Sequence, residues 1–184
     1  MKPLVKLSFV FATLLFVACA GPSKNLSKEG CIPEWFLNVP KDPNYFYAAK
    51  TDKSQDLQLA LDKATASARA EIAKQVEAHV KTLEKKFNEE VGNLNNPEVS
   101  QHFSSVIKII ASTTLTGSRV IKRQVCEKEN GYQAYVLLEY PLGAANKALV
   151  EQIRKDKILY DRYRASKGYD ELDKEVQKLD QNQK

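Results

Sequence analysis

With 184 residues, 43% of them hydrophobic and 28% charged, the chain has apolar material for one packed domain and too little for several. Its formal charge of +5 falls to +3 once Lys2 and Lys6 of the leader are set aside, leaving 26 basic against 23 acidic side chains. Charge this thin and dispersed excludes the clustered basic face of a nucleic-acid-binding protein, so no nucleic-acid partner is expected.

Residues 1–18 have the form of a signal peptide. Lys2 and Lys6 supply a positive start, and residues 7–18 are apolar without a charge. That run is shorter than the roughly 20 residues of a membrane-crossing helix, and no later segment is apolar enough to span. The leader closes on Leu15-Phe16-Val17-Ala18-Cys19-Ala20-Gly21. A small residue before cysteine, preceded by apolar ones, resembles the lipobox of bacterial lipoproteins. In that motif the thiol accepts a diacylglycerol, and the amine freed by cleavage is then acylated. Cys19 is therefore the expected lipidation site, with acyl chains such as palmitate holding the protein at a membrane. Two other readings stay open. Ala18-Cys19-Ala20 also fits the small-x-small rule of ordinary signal peptidase, which would release a soluble secreted factor, and Cys19 could be a buried structural thiol. Ala20 stands where an inner-membrane retention signal would place Asp, so the outer membrane is expected.

Residues 19–30 are small and polar and read as a flexible tether. An α+β domain is expected over residues 31–165, with a polar helical or disordered tail over residues 166–184. Pro33, Pro40 and Pro43 should keep the domain's start non-helical around Trp35-Phe36-Leu37. The aromatic-rich residues 44–49 read as a short strand. Ser54 reads as the cap of a long helix over residues 55–91, on which Leu57, Leu61, Ala64, Ala68, Ile72, Val76, Val80, Leu83, Phe87 and Val91 recur at helical spacing. Asn96-Pro97 starts another helix, with Val99, Phe103, Val106 and Ile110 as its apolar stripe. Residues 119–128 alternate as a strand, with Ile121, Arg123 and Val125 on one face and Val120, Lys122, Gln124 and Cys126 on the other. Asn130-Gly131 signals a hairpin, and residues 132–140 form the returning strand. Gly143 opens a helix whose Ala145, Leu149 and Ile153 face inward. Tyr160, Tyr163, Tyr169, Leu172, Val176 and Leu179 continue at helical spacing, interrupted by Gly168. The expected fold is a three-stranded antiparallel sheet packed against a long helix and two further helices, in the order β-α-α-β-β-α.

Motifs of chemistry are missing from this pattern. His79 and His102 belong to no HxxxH or HExxH arrangement, and no GxSxG, P-loop or GxGxxG occurs. The carboxylates alternate with lysines at helical spacing, as in Glu77–Lys81, which suits helix support better than acid–base work. The expectation is a protein without enzymatic activity, metal, cofactor or small-molecule substrate. Cys31 and Cys126 either pair, tying the tether's end to the second strand, or stand as separate thiols. Candidate contact residues are Tyr132 and Tyr135 on the sheet, with Tyr45, Tyr47 and Tyr140 completing an aromatic face. Others are Tyr160, Tyr163, Leu172 and Val176 on the C-terminal stripe, and the charged distal half of the long helix.

Pro33-Glu34-Trp35 after the tether, the Ala-rich segment 64–73 and Gly131-Tyr132-Gln133-Ala134-Tyr135-Val136-Leu137-Leu138 are similar to hallmarks of a known family. Together, over about residues 32–153, they resemble the LPP-twenty family of bacterial outer-membrane antigen lipoproteins. The resemblance implies a dodecin-like or related α+β domain, often self-associating, on a lipoprotein without known catalysis. Some members are accessory lipoproteins of flagellar structures. It carries over no catalytic residue, and Pro33, Trp35 and the alanines only as packing positions. The functional expectation is an envelope structural or protein-interaction component, with a binding module for lipid or cell-wall glycan as the competing class.

Overall fold

The structure, a computed structural model, describes residues 31–92 and 96–182; the signal peptide, Cys19 and the tether lie outside the described residues. The described elements run α1 (Glu34–Leu37), β1 (Tyr45–Ser54), α2 (Leu57–Glu90), α3 (Pro97–Gly117), β2 (Arg119–Lys128), β3 (Gly131–Pro141), α4 (Leu142–Lys155), α5 (Lys157–Tyr163) and α6 (Lys167–Asn182). The strands form one antiparallel sheet in the order β1-β3-β2, so the α+β class and the strand count are as the sequence predicts. The central place goes to β3, the most continuously apolar strand, whose residues from Ala134 to Tyr140 are all buried. A strand covered on both faces loses the polar alternation of a half-solvated one.

The core between sheet and helices is built on α2. Asp56 starts this helix, its carboxylate accepting the Leu59 N–H at 2.7 Å, while Ser54 sits two residues earlier as the last residue of β1. Ala60, Ala64, Ala68, Ile72, Val76 and Val80 then form a buried column at four-residue steps. Each such step overshoots a 3.6-residue turn by about 40°, so the column winds around the helix. Its alanine end therefore serves the sheet and its far end serves other helices. Residue size follows: alanines allow α2 close to the strands, and Phe87 fills the wider space among helices. Leu57, expected inside, lies before the column begins and is 43% exposed. The helix runs back along β1, with Lys63 paired to Asp52, Glu71 to Lys50, Gln75 Nε2 donating to Tyr47 O, and the His79 ring against Phe46.

The α3 helix begins as expected: Asn96 Oδ1 accepts the N–H groups of Glu98 and Val99, and Val99, Phe103, Val106 and Ile110 are buried. Four details differ from the sequence reading. The Pro-rich start holds one helical turn, α1, because Pro33 occupies the capping position and Pro40 lies beyond the end. The β1 strand continues to Ser54, since Lys50, Asp52 and Lys53 find partners across α2 and β3. A bulge between Val120 and Lys122 breaks the alternation of β2. It brings Val120 opposite Leu138 on the helix side and Arg119 opposite Glu139 on the outer side, where the two form an ion pair. Finally, Lys128 pairs with Gly131, so the hairpin turns on Glu129-Asn130, and the glycine follows the turn with φ +123°.

Candidate interaction surfaces

The face of the sheet turned away from α2 is covered by the chain's own start. Cys31 and Cys126 form a disulfide with their Cα atoms 5.7 Å apart, which fixes the beginning of the domain on β2. Beside it, Gln124 Nε2 donates to the Cys31 carbonyl at 2.9 Å. Phe36 meets Tyr135 edge-on at 5.0 Å between ring centroids, and Trp35 packs on Phe36. Tyr135 and Leu137 are buried as a result. The tyrosines expected to share a face are divided by strand alternation: Tyr45, Tyr47 and Tyr135 lie on the outer side, Tyr132 and Tyr140 on the helix side. Tyr135 therefore forms no open aromatic groove with its neighbours.

The C-terminal stripe is used inside the chain. Tyr163, Tyr169, Leu172 and Val176 are buried, and only Tyr160 of the candidate set stands 40% exposed. Phe87 lies 5.5 Å from the Tyr163 ring and 6.0 Å from the Tyr169 ring, and Phe103 closes on Tyr163 from α3. Burial pushes both tyrosine hydroxyls up to about 12, and the Tyr163 hydroxyl donates to Asn88 Oδ1. Residues 167–182 of the polar tail thus form the docked helix α6.

The charged distal half of α2 helps to dock it. Glu90 Oε2 accepts from Ser166 Oγ at 2.6 Å and from the Gly168 N–H at 2.7 Å, which caps the start of α6. A Cβ on Gly168 would come within 2.9 Å of Lys86 Cε and 3.0 Å of Glu90 Oε1, so a side chain there would press on the carboxylate that caps the helix. The Ser166 hydroxyl first, and then the Gly168 amide, hold the Glu90 carboxyl below its usual range. Because the folded-state value is depressed, its stabilisation is present above the unfolded value and fades as pH falls through the folded one. Glu90→Gln should therefore lose about 1 kcal/mol at neutral pH, a figure kept small because the carboxylate stays partly solvated. Denaturation curves of variant and wild type should draw together as pH falls below the ordinary carboxylate range. A constant gap across that range would contradict the assignment.

The two histidines are structural in their contacts. His79 Nε2 lies 2.8 Å from Asn146 Oδ1 on α4, and His102 Nδ1 lies 2.6 Å from Asp156, the residue that caps α5. A cavity at the start of α4 is lined by Tyr45, Leu142, Lys147 and Asp180, with Lys147 already paired to Asp180. Among the described residues, no group of three or more His, Cys, Asp or Glu side chains could hold a metal. No described helix is long and apolar enough to cross a membrane.

One surface was missed at the level of sequence. Along α3, after Glu98, Lys108 is the one Lys, Arg, Asp or Glu residue. Ile109 and Leu115 are 47% and 40% exposed on its outer side. Around them, Ser104, Ser105, Thr113 and Thr116 turn their hydroxyls back onto carbonyls of the preceding turn. A hydroxyl satisfied by its own helix presents carbon to the outside. The resulting face carries one charge, Lys108, and is partly apolar, unlike the ion-paired exposed face of α2. The sequence signal was the scarcity of charge between residues 99 and 118.

These surfaces belong to an α+β domain of three antiparallel strands and six described helices. The LPP20 lipoprotein family model matches residues 33–140, more than half of the chain, and the chain belongs to that family. Membership makes it a lipoprotein, a membrane-anchored protein of the envelope, in a family not known for enzymes. No curated protein matches the chain. The family match ends at the last residue but one of β3, so α4, α5 and α6 lie outside it.

Proposed function

We propose that this chain is an outer-membrane lipoprotein, acylated at Cys19, that acts without catalysis by making protein contacts in the envelope. Membership of the lipoprotein family, in a chain whose leader ends at Cys19, carries the reading. The outer face of α3 supports it, because a helix face with one charge and two exposed aliphatic side chains suits a protein partner better than solvent. The partner is an envelope protein, such as a component of a surface or flagellar structure, or a second copy of this chain. A lipid- or glycan-binding module is the weaker reading, since Phe36 covers the tyrosine it would use.

The test is a photo-crosslinking residue placed at Ser112 on α3 in growing cells, beside the same residue at Lys85 on the charged face of α2. An adduct at position 112 that is absent at 85, and is lost when Leu115→Glu is added, is the expected result. Equal yields at both positions, or none at either, would contradict a contact function for α3.

A further inference from the structure

Residues 31–43 lie on the sheet without joining it. Their backbone hydrogen bonds are local: Phe36 N–H donates to Pro33 O, Asn38 N–H to Glu34 O, and the Tyr45 N–H reaches back to Asp42 O. What attaches this segment to the outer face is side-chain packing by Phe36, the Gln124 bond to Cys31 O, and the disulfide. Under it lie Tyr135 and Leu137, 3% and 0% exposed, outside the main core cluster between sheet and helices. A short segment with internal hydrogen bonds and a covalent tie at one end can leave as a unit when the tie is cut.

We infer that residues 31–43 form a strap latched by Cys31–Cys126, and that reduction by a dithiol opens it and uncovers the Tyr135–Leu137 strip. The chemistry is ordinary thiol–disulfide exchange. A thiolate of the dithiol attacks Sγ of Cys31, the less buried of the two residues, and Cys126 leaves as a thiolate that takes up a proton. The reductant's second thiol then displaces Cys31 as a thiol. Two electrons and two protons reach the cysteines, and the reductant becomes a disulfide. The oxidised protein has a closed sheet, and the reduced protein an exposed apolar strip.

Limited chymotrypsin digestion of the full chain in mild detergent tests this. Trp35, Phe36 and Leu37 are the cleavage points within the strap. Dithiothreitol is expected to speed cleavage there at least about tenfold, leaving residues 44–182 intact, because cutting follows the population of the open form. The Cys31→Ala/Cys126→Ala variant should be cut at the fast rate with or without dithiothreitol. Phe36→Leu, with the disulfide kept, should stay slow until reduced. Unchanged cleavage on reduction would overturn the latch. So would cleavage spread through residues 44–182, since the disulfide would then staple the whole fold.

Discussion

Phe87→Ala will lower the stability of the domain by about 3–5 kcal/mol, the range for emptying a fully buried aromatic site. Phe87 is completely buried near the end of α2, and its ring is the common neighbour of Tyr163 on α5 and Tyr169 on α6. Truncation leaves a cavity that three helices and Phe103 line, and rigid helices close such a space poorly. The loss should appear in urea denaturation as a lower midpoint, together with faster amide exchange across residues 167–182. If the variant loses less than about 1 kcal/mol, α5 and α6 are not packed on the domain as described.

Gly131→Ala should cost about 3 kcal/mol or more, although it adds one methyl group just after a hairpin turn. Two causes combine. The residue stands at φ +123°, where a side chain strains the backbone. Its Cβ would also fall 2.4 Å from Ser54 O and 2.7 Å from Gln55 Cα, both backbone atoms at the passage from β1 into α2. Neither can rotate away, so the end of β1 must separate from β3. Thermal unfolding checks the size of the effect, and an unchanged midpoint would show that the hairpin does not press on that passage.

Much of this architecture can be read from the sequence because its signals are local. The four-residue column of α2, the Asn96-Pro97 start of α3 and the hairpin after β2 depend on neighbours along the chain, and each stands within a residue or two of its predicted place. The parts that escaped depend on partners distant in sequence. Lys50 and Asp52 look like the end of a strand until Glu71 and Lys63 of α2 are brought beside them. A bulge is one residue out of step, which alternation alone does not reveal until Lys122 is seen opposite Leu137. Likewise, Tyr163, Leu172 and Val176 read equally well as a surface for a partner helix or as a docking face for α2. Glu90, Gly168 and Phe87 decide that question in space. The disulfide was open on spacing alone, since it joins residues 95 positions apart.

The candidate surfaces divide in the same way. Absence of catalytic motifs and the approach to Cys19 could be read directly. Coverage of Tyr135 could not, because Phe36 belongs to a Pro-rich segment with no strand or helix pattern of its own. The charge-poor side of α3 needed the fold to show which of its residues stay outside.

Acylation at Cys19 is the claim on which the proposed function rests most heavily. The direct measurement is detergent phase partition of the full-length protein beside Cys19→Ser, both expressed in a bacterium with an intact lipoprotein pathway. Wild type should enter the detergent phase and the variant should stay aqueous, because two or three acyl chains bury dozens of methylene groups at about 0.8 kcal/mol each. If both proteins stay in the aqueous phase, the chain is not held by lipid at Cys19 and acts as a released factor.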